Sequence, residues 1–324
     1  MVPNSNYSTL LATTIENFGN KIFDNVITNT TLARYLNARG NVKVVGGGEK
    51  FVHQLLYQKN SSFASRASMD TIALPVEDPL TCSQWDVKVL SGSIVLPELD
   101  VAKNAGNREK LLDYAGAIIR QAELSMSELL SDQIWTAAAS IGANDMDSIS
   151  KIVAQDVTAS TSIGGINQSG ETWWRNVSYD TVVTGFATSN EGINAIDINL
   201  NATTFGTQGP KIIVTDKTIF SRYMLSLTSN VRYTQDDLGQ GDAGFRKLMY
   251  ATLPFVADDD CESGNIYGID LDSLKLQILA QGNMKRSPFK FATNQLATSS
   301  LMYLFANLTC GSRRTNFVID SVTG

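Results

Sequence analysis

The sequence contains one histidine, His53, and three widely separated cysteines, and these shortages exclude several classes of enzyme. A serine–histidine–aspartate triad, a cysteine–histidine pair or a zinc site with several histidines would each depend on that single residue. The cysteines Cys82, Cys261 and Cys310 show no paired spacing. Their odd number predicts reduced thiols and not a disulfide framework.

Charged residues are also scarce, at 18% of the 324 residues, against roughly 25% in an average soluble domain. The 32 Asp and Glu outnumber the 26 Lys and Arg, which gives a net charge of −6. This balance argues against a protein that holds nucleic-acid phosphate over its whole surface. Hydrophobic residues make up 43% of the chain and supply ample core material. The many neutral polar side chains are suited to burial against another subunit.

The chain shows no apolar run of the roughly 18 residues that a membrane-spanning helix needs. Its first residues lack the cationic and apolar regions of a signal peptide. We therefore expect a protein that is made and kept inside a cell, or assembled there, without a membrane partner.

Hydrophobic spacing predicts helices at 8–24 and 30–38, the second ending at Gly40. The period then changes, and strands are predicted at 42–45, 51–57 and 86–96. The polar stretch between the last two strands has too few apolar residues for a core of its own. We expect it to be a long hairpin or loop that projects from the body.

The strongest helical pattern covers residues 108–139, where apolar side chains recur at steps of three and four. Further along, a buried strand at 211–215 precedes Asp216 as a helix cap. Short strands follow, and the chain closes with a helix-like segment at 302–312 and a terminal strand. Because strands occur in runs, the pattern predicts an α+β fold with antiparallel pieces.

Two glycine-rich segments resemble nucleotide-binding loops only superficially. Gly239, Gly241 and Gly244 match G-x-G-x-x-G, but the buried strand that should precede them is missing. Glycines 46–48 lead to Lys50, yet Phe51 stands where a phosphate-binding loop has Ser or Thr. We predict a surface loop and a hinge, and no cofactor.

The acidic cluster Asp258, Asp259 and Asp260, with Glu262 nearby, is a weak candidate for a hard cation such as Ca²⁺. Its spacing matches no calcium-loop signature. An acidic turn between two strands explains the cluster equally well.

His53 lies in an alternating strand, where a lone histidine is more often a packed side chain than a base. Trp173, Trp174 and Arg175 could form a stacking platform for a ligand. Buried anchors at a domain or subunit contact fit better, because Trp and Arg dominate the energetics of interfaces.

Seven segments in a fixed order carry a family resemblance over almost the whole chain: 47–57, 57–71, 85–88, 99–106, 108–139, 164–176 and 288–314. In this order they resemble the major capsid proteins of tailed bacteriophages, which have the Hong Kong 97-like fold. The resemblance implies an N-terminal arm at 1–44, an extended E-loop at 45–100, an A-domain at 201–285, and a P-domain formed by 101–200 and 286–324 with its spine helix at 108–139.

The resemblance also implies a structural subunit, not an enzyme, that self-assembles into hexamers and pentamers of an icosahedral head around double-stranded DNA. Its place would be the virion, assembled in the host cytoplasm. Expected partners are further copies of the chain, scaffolding and portal proteins, in some members decoration proteins, and packaged DNA bound without sequence specificity. Residues expected at subunit contacts are Tyr57, Lys59, Asn60, Phe63, Arg66, Trp173, Trp174, Arg175, Asp236, Asp237 and Leu238.

Two alternatives stay open. One is the shell protein of a cellular nanocompartment with the same fold, which would enclose an enzyme and not a genome. The other is a nucleotide-binding enzyme that uses the Gly239 loop or the acidic cluster. The size of the A-domain and the 173–176 segment favour the phage protein.

Overall fold

The computed structural model describes residues 31–72, 74–104, 114–180, 184–186, 191–227 and 248–322. Its α-helices are, in chain order, α1 (Thr31–Ala38), α2 (Glu98–Asn104), α3 (Tyr114–Trp135), α4 (Ile149–Ile152), α5 (Glu191–Thr203) and α6 (Lys217–Leu227). None of these helices is long and apolar enough to cross a membrane. Helix α1 matches the helix predicted at 30–38, whereas the one predicted at 8–24 lies outside the described residues.

The described strands are, in chain order, β1 (Val42–Val45), β2 (Lys50–Leu56), β3 (Leu80–Asp86), β4 (Lys88–Pro97), β5 (Ser162–Ile163), β6 (Ile166–Asn167), β7 (Val177–Tyr179), β8 (Ile212–Thr215), β9 (Leu248–Tyr250), β10 (Leu253–Ala257), β11 (Ile266–Ile269), β12 (Leu274–Leu279), β13 (Lys285–Arg286), β14 (Lys290–Phe291), β15 (Ala297–Cys310) and β16 (Phe317–Ile319). Strands β1, β12, β15, β13, β14 and β4 form the first sheet. The second sheet has the order β7-β16-β11-β8-β10-β9. Strands β2 and β3 form a separate hairpin, as do β5 and β6.

Strand β15 organises the first sheet. It pairs with β4 over ten residues along one edge, while β12, β13 and β14 pair with it in succession along the other. The helix-like segment predicted at 302–312 is therefore wrong for residues 302–310. Met302, Leu304 and Ala306 are all buried on one face, which is the period of two that a strand requires.

Helix α3 is the central part of the helix predicted at 108–139. It packs over the first sheet against β4, and Met126, Ile94 and Met302 belong to the same buried core. The helix ends at Trp135 and not at residue 139, because Ile134 and Trp135 enter the core and the backbone of Ala137 is extended. Its 22 residues span about 33 Å at 1.5 Å per residue. Residues 105–113, which include the predicted start, lie outside the described residues.

The second sheet has its own core with helices α5 and α6. The predicted strand, cap and helix around Asp216 are confirmed: β8 leads to Asp216, whose carboxylate accepts a hydrogen bond from the Ile219 backbone at 2.8 Å. Helix α5 was not predicted. Its buried side includes Asn199 and Thr203, and these polar residues conceal the amphipathic pattern.

The predicted segment boundaries cut across both sheets. Strand β12 falls within 201–285 but pairs with β1 and β15 in the first sheet. Strand β16 falls within 286–324 but lies between β7 and β11 in the second sheet. The division into arm, E-loop, P-domain and A-domain stays a prediction.

Candidate assembly surfaces

The base of the β2–β3 hairpin is anchored to the body of the subunit. Its strands pair antiparallel from Lys50 opposite Asp86 to Leu56 opposite Leu80. Alternation places Phe51 and Trp85 on the inner side, where both are buried in the main core. The predicted hairpin is confirmed, but its second strand, Leu80–Asp86, begins inside the stretch expected to have no core. The strand predicted at 86–96 is mainly β4, which pairs with β15 and not with β2.

The tip of the hairpin, residues 57–79, is different, because its apolar side chains point into solvent. Phe63 is 86% exposed and Leu74 90% exposed, and Met69, Ile72 and Val76 are also exposed. No strand or helix is formed in the described part of this tip. A run of uncovered apolar residues on one projection is typical of a surface that meets another protein.

Local polar contacts hold the tip together. The Ser61 backbone donates to Glu77 at 2.9 Å, and the hydrogen bonds from Ser61 hold the pKa of the Glu77 carboxyl below its usual range. The Arg66 guanidinium donates to the carbonyls of Ser62 and Thr71 at 2.9 and 3.0 Å. The tip is therefore ordered by its own hydrogen bonds and not by an apolar core.

The predicted contact residues of the tip differ in what they offer a partner. Lys59, Asn60 and Phe63 are exposed, whereas the Arg66 side chain is engaged with the backbone of the tip. Tyr57 stacks on Trp173 with ring centroids 5.4 Å apart, and this pair fixes the start of the tip to the body.

Trp174 and Arg175 contact their own chain. Trp174 is only 2% exposed and donates its indole N–H to the Ile163 carbonyl at 2.9 Å. Arg175 donates to the carbonyls of Gln168 and Ser169, both at 2.7 Å. Trp174 is thus a buried anchor within its own chain, while its predicted place at a subunit contact stays a prediction.

The residue that organises this segment is Arg313, which the sequence analysis did not identify as a site. Its fully buried guanidinium donates to the Ile152 carbonyl at 2.6 Å, Asn176 at 2.7 Å, Gln168 at 3.1 Å and the Trp174 carbonyl at 3.3 Å. Burial lowers the pKa of Arg313 to about 10, so the group is charged at neutral pH. The planar fork of arginine donors suits such a set of fixed acceptors.

The predicted metal cluster is dispersed among different partners. Asp258 accepts the Leu32 backbone N–H at the start of α1 at 3.2 Å, Asp259 pairs with Lys217, and Asp260 accepts from Ser131. Glu262 accepts from Ser150 and Tyr267, both at 3.2 Å. In the described part of the chain no three His, Cys, Asp or Glu side chains are placed to hold a metal ion, so the structure gives the weak candidate no support and favours the acidic turn.

Asp258 has a structural role instead. It joins helix α1 to the turn after β10, and burial raises its pKa to about 6. The predicted contact residues Asp236, Asp237 and Leu238, with the Gly239 loop, lie outside the described residues.

No protein-family model and no curated protein matches this sequence. Among solved structures, the chain is similar to the capsid asymmetric unit of cyanophage A-1(L), with a TM-score of 0.70 at 15% identity, covering 98% of this chain and 100% of that one. It is also similar to the capsid of the native GTA particle, with a TM-score of 0.60 at 10% identity, covering 95% and 96%.

A third similar structure is the holo-SrpI encapsulin complex of Synechococcus elongatus, with a TM-score of 0.56 at 11% identity, covering 94% of this chain and 90% of that one. At these identities the comparisons show the fold alone. The structural similarity extends over nearly the full length of each chain. The chain therefore has the Hong Kong 97-like capsid fold, in the α+β class.

Proposed function

We propose that this chain is the major capsid subunit of a tailed bacteriophage. It self-assembles into hexamers and pentamers of an icosahedral head that encloses double-stranded DNA. The observation that carries the proposal is the hairpin tip at 57–79, whose apolar side chains have no cover within their own subunit. The capsid fold supplies the context for that observation.

The physical argument concerns the cost of ordering the tip. Fixing the backbone costs on the order of 1 kcal/mol per residue, and an exposed segment regains none of this by burial. Contact with a second copy would bury Phe63, Leu74 and Val76 at once. The surface that receives the tip differs from the tip itself, so the contact is heterologous and generates rings when the rotation closes.

The proposed partners follow from this role. Further copies of the chain cover the tip. Scaffolding and portal proteins guide the closure of the head, and decoration proteins are a further class of partner for its surface. The net charge of −6 suits a shell that confines DNA without holding it by sequence or by a strongly basic lining.

A second candidate is the shell of a cellular nanocompartment, which the likeness to the encapsulin complex favours. The two functions differ in what the particle contains. Particles purified from the native source would hold nuclease-protected DNA in the first case and a cargo protein in the second.

The test begins with the purified chain, examined by size-exclusion chromatography with light scattering and by negative-stain electron microscopy. We expect closed shells of uniform diameter, or hexamers and pentamers that close when scaffold is added. A triple variant, Phe63→Ser with Leu74→Ser and Val76→Ser, should give soluble subunits with unchanged circular dichroism and no shells. Ile198→Ser, at another exposed apolar position, is the matched control.

A wild-type chain that stays monomeric or dimeric over all concentrations and salt conditions would contradict the proposal. Wild-type shells together with shells of the triple variant at equal yield would contradict the role of the tip alone.

A further inference from the structure

The only histidine of the chain lies at the contact between the hairpin and the first sheet. His53 is on the inner side of β2, between the buried residues Phe51 and Leu55, and pairs across the hairpin with the fully buried Ser83. This inner side covers the face of the first sheet opposite to helix α3, where Thr309 of β15 meets the imidazole.

The hydrogen bonds assign the proton of the neutral ring. His53 Nε2 lies 3.0 Å from Thr309 Oγ1, and Thr309 donates its own hydroxyl proton to the Lys275 carbonyl at 3.0 Å. Thr309 can therefore only accept from the imidazole, so Nε2 carries the hydrogen and Nδ1 is the site left for a second proton. The Gln277 amide nitrogen lies 3.4 Å from Nε2 and, as a donor itself, adds no hydrogen bond to the protonated Nε2.

The charges around His53 disfavour a second proton. Lys275 of β12 is paired with Thr309 of β15, so both side chains lie on the face of the sheet that meets the imidazole, and the neighbours Thr309 and Ser83 are uncharged. The ion pair between Lys50 and Asp86, with its charged groups 3.2 Å apart, lies within the hairpin, three residues before His53 on β2. Burial and, second, Lys275 lower the pKa of His53 below 6.5.

We propose that the contact of His53 with Thr309 of β15 is a proton-sensitive hinge, which holds the base of the hairpin on the first sheet at neutral pH and loosens it in acid. A second proton would add a positive charge on the same side of the sheet as Lys275, at a contact that is partly shielded from water. The inference concerns the subunit itself and goes beyond the proposed function, since it holds whatever the shell contains.

The direction of the effect follows from proton linkage. The pKa of His53 is lower in the folded state than in the unfolded state, so its contribution to holding the hairpin is fully present above pH 6.5. That contribution is lost as the pH falls from 6.5 towards the folded-state pKa. Within this window the opening constant of the hairpin should rise by up to about tenfold per pH unit.

Two measurements test the hinge on full-length, unassembled subunits. Because the chain has one histidine, its imidazole Hε1 gives a single NMR resonance, which we expect to titrate below pH 6.5. In Lys275→Gln the midpoint should move upward. Hydrogen exchange of the β2 and β3 amides, corrected for the intrinsic pH dependence, should increase in acid, while β8 in the second sheet serves as the internal reference.

His53→Gln is the decisive variant, because glutamine keeps a donor near Thr309 and does not titrate. Its hairpin should exchange at a rate independent of pH. Acid-induced exchange that persists unchanged in His53→Gln would overturn the inference. A wild-type imidazole that titrates at or above pH 6.5 would also overturn the inference. This measurement needs no variant, so it remains a test even if His53→Gln does not fold.

Discussion

The tip of the hairpin at 57–79 and the segment at 160–176 are both poor in regular structure and rich in polar residues, yet they are stabilised in different ways. The segment at 160–176 buries Trp174 and surrounds the guanidinium of Arg313 with its own carbonyls and amides. The tip leaves Phe63 and Leu74 in solvent. The apolar side chains of an irregular segment can thus be covered by its own subunit or left for another subunit to cover. Only the burial of these side chains within the single chain distinguishes the two cases.

The largest effect on stability should come from removing the Arg313 guanidinium, which the segment at 160–176 surrounds. In Arg313→Ala, four acceptors lose their donor inside the core. We expect a loss of about 5 kcal/mol in the free energy of unfolding, measured by urea denaturation of unassembled subunits.

The neighbouring Arg314→Ala is the control for that variant. Arg314 is exposed, and its guanidinium lies 4.1 Å from the centre of the Phe205 ring. Its removal should cost about 1 kcal/mol or less. Equal losses of unfolding free energy in the two arginine variants would show that the buried Arg313 stabilises the subunit no more than the exposed Arg314 does.

The paired tryptophans offer a second test of the same comparison. Trp174→Ala should destabilise the subunit by about 4 kcal/mol, because it opens a cavity in the core. Trp173 is half-buried and its ring packs against that of Tyr57, so Trp173→Ala should lower the free energy of unfolding clearly less. Thermal unfolding of the two variants side by side gives the difference, and a larger loss for Trp173 would reverse the assignment of the buried anchor.

The smallest effect is expected within the tip. The hydrogen bonds from Ser61 depress the pKa of Glu77, so their contribution is present above the ordinary pKa of a glutamate and is lost as the pH falls through the folded-state value. Glu77→Gln should speed hydrogen exchange at Ser61 without changing global stability. A lower unfolding midpoint in this variant would mean that the tip is coupled to the core after all.

The sequence predicted the α+β class, the hairpin, the spine helix and the capped helix after Asp216, because each depends on local periodicity or on a cap. It failed where long-range packing decides the outcome. Strand β15 contains the helix-favouring residues Leu304 and Ala306, but it pairs with β4 on one side and with β12 on the other. This pairing imposes an extended backbone. Nor could the sequence show that the neighbouring carboxylates at 258–260 contact different elements, since Asp258 accepts from Leu32 and Asp259 pairs with Lys217.

The candidate surfaces were predictable only in part, for a related reason. Exposure of the tip follows from its composition, since no apolar pattern exists there for a core to use. The burial of Trp174 does not follow from composition, because it depends on Arg313, which is 139 residues further along the chain. An arginine among polar residues, here followed by a second arginine, carries no local signal of such a partner.

Strand β16 lies between β7 and β11, so the second sheet takes one of its inner strands from residues 317–319. During synthesis the ribosome delivers this strand and Arg313 after nearly everything else in the described chain. Until these residues have been synthesised, the second sheet of a nascent subunit lacks an inner strand, and the acceptors around the guanidinium of Arg313 have no donor. Under the proposed function, translation itself would then time assembly, because a chain that lacks these residues could not offer a finished subunit to a growing shell.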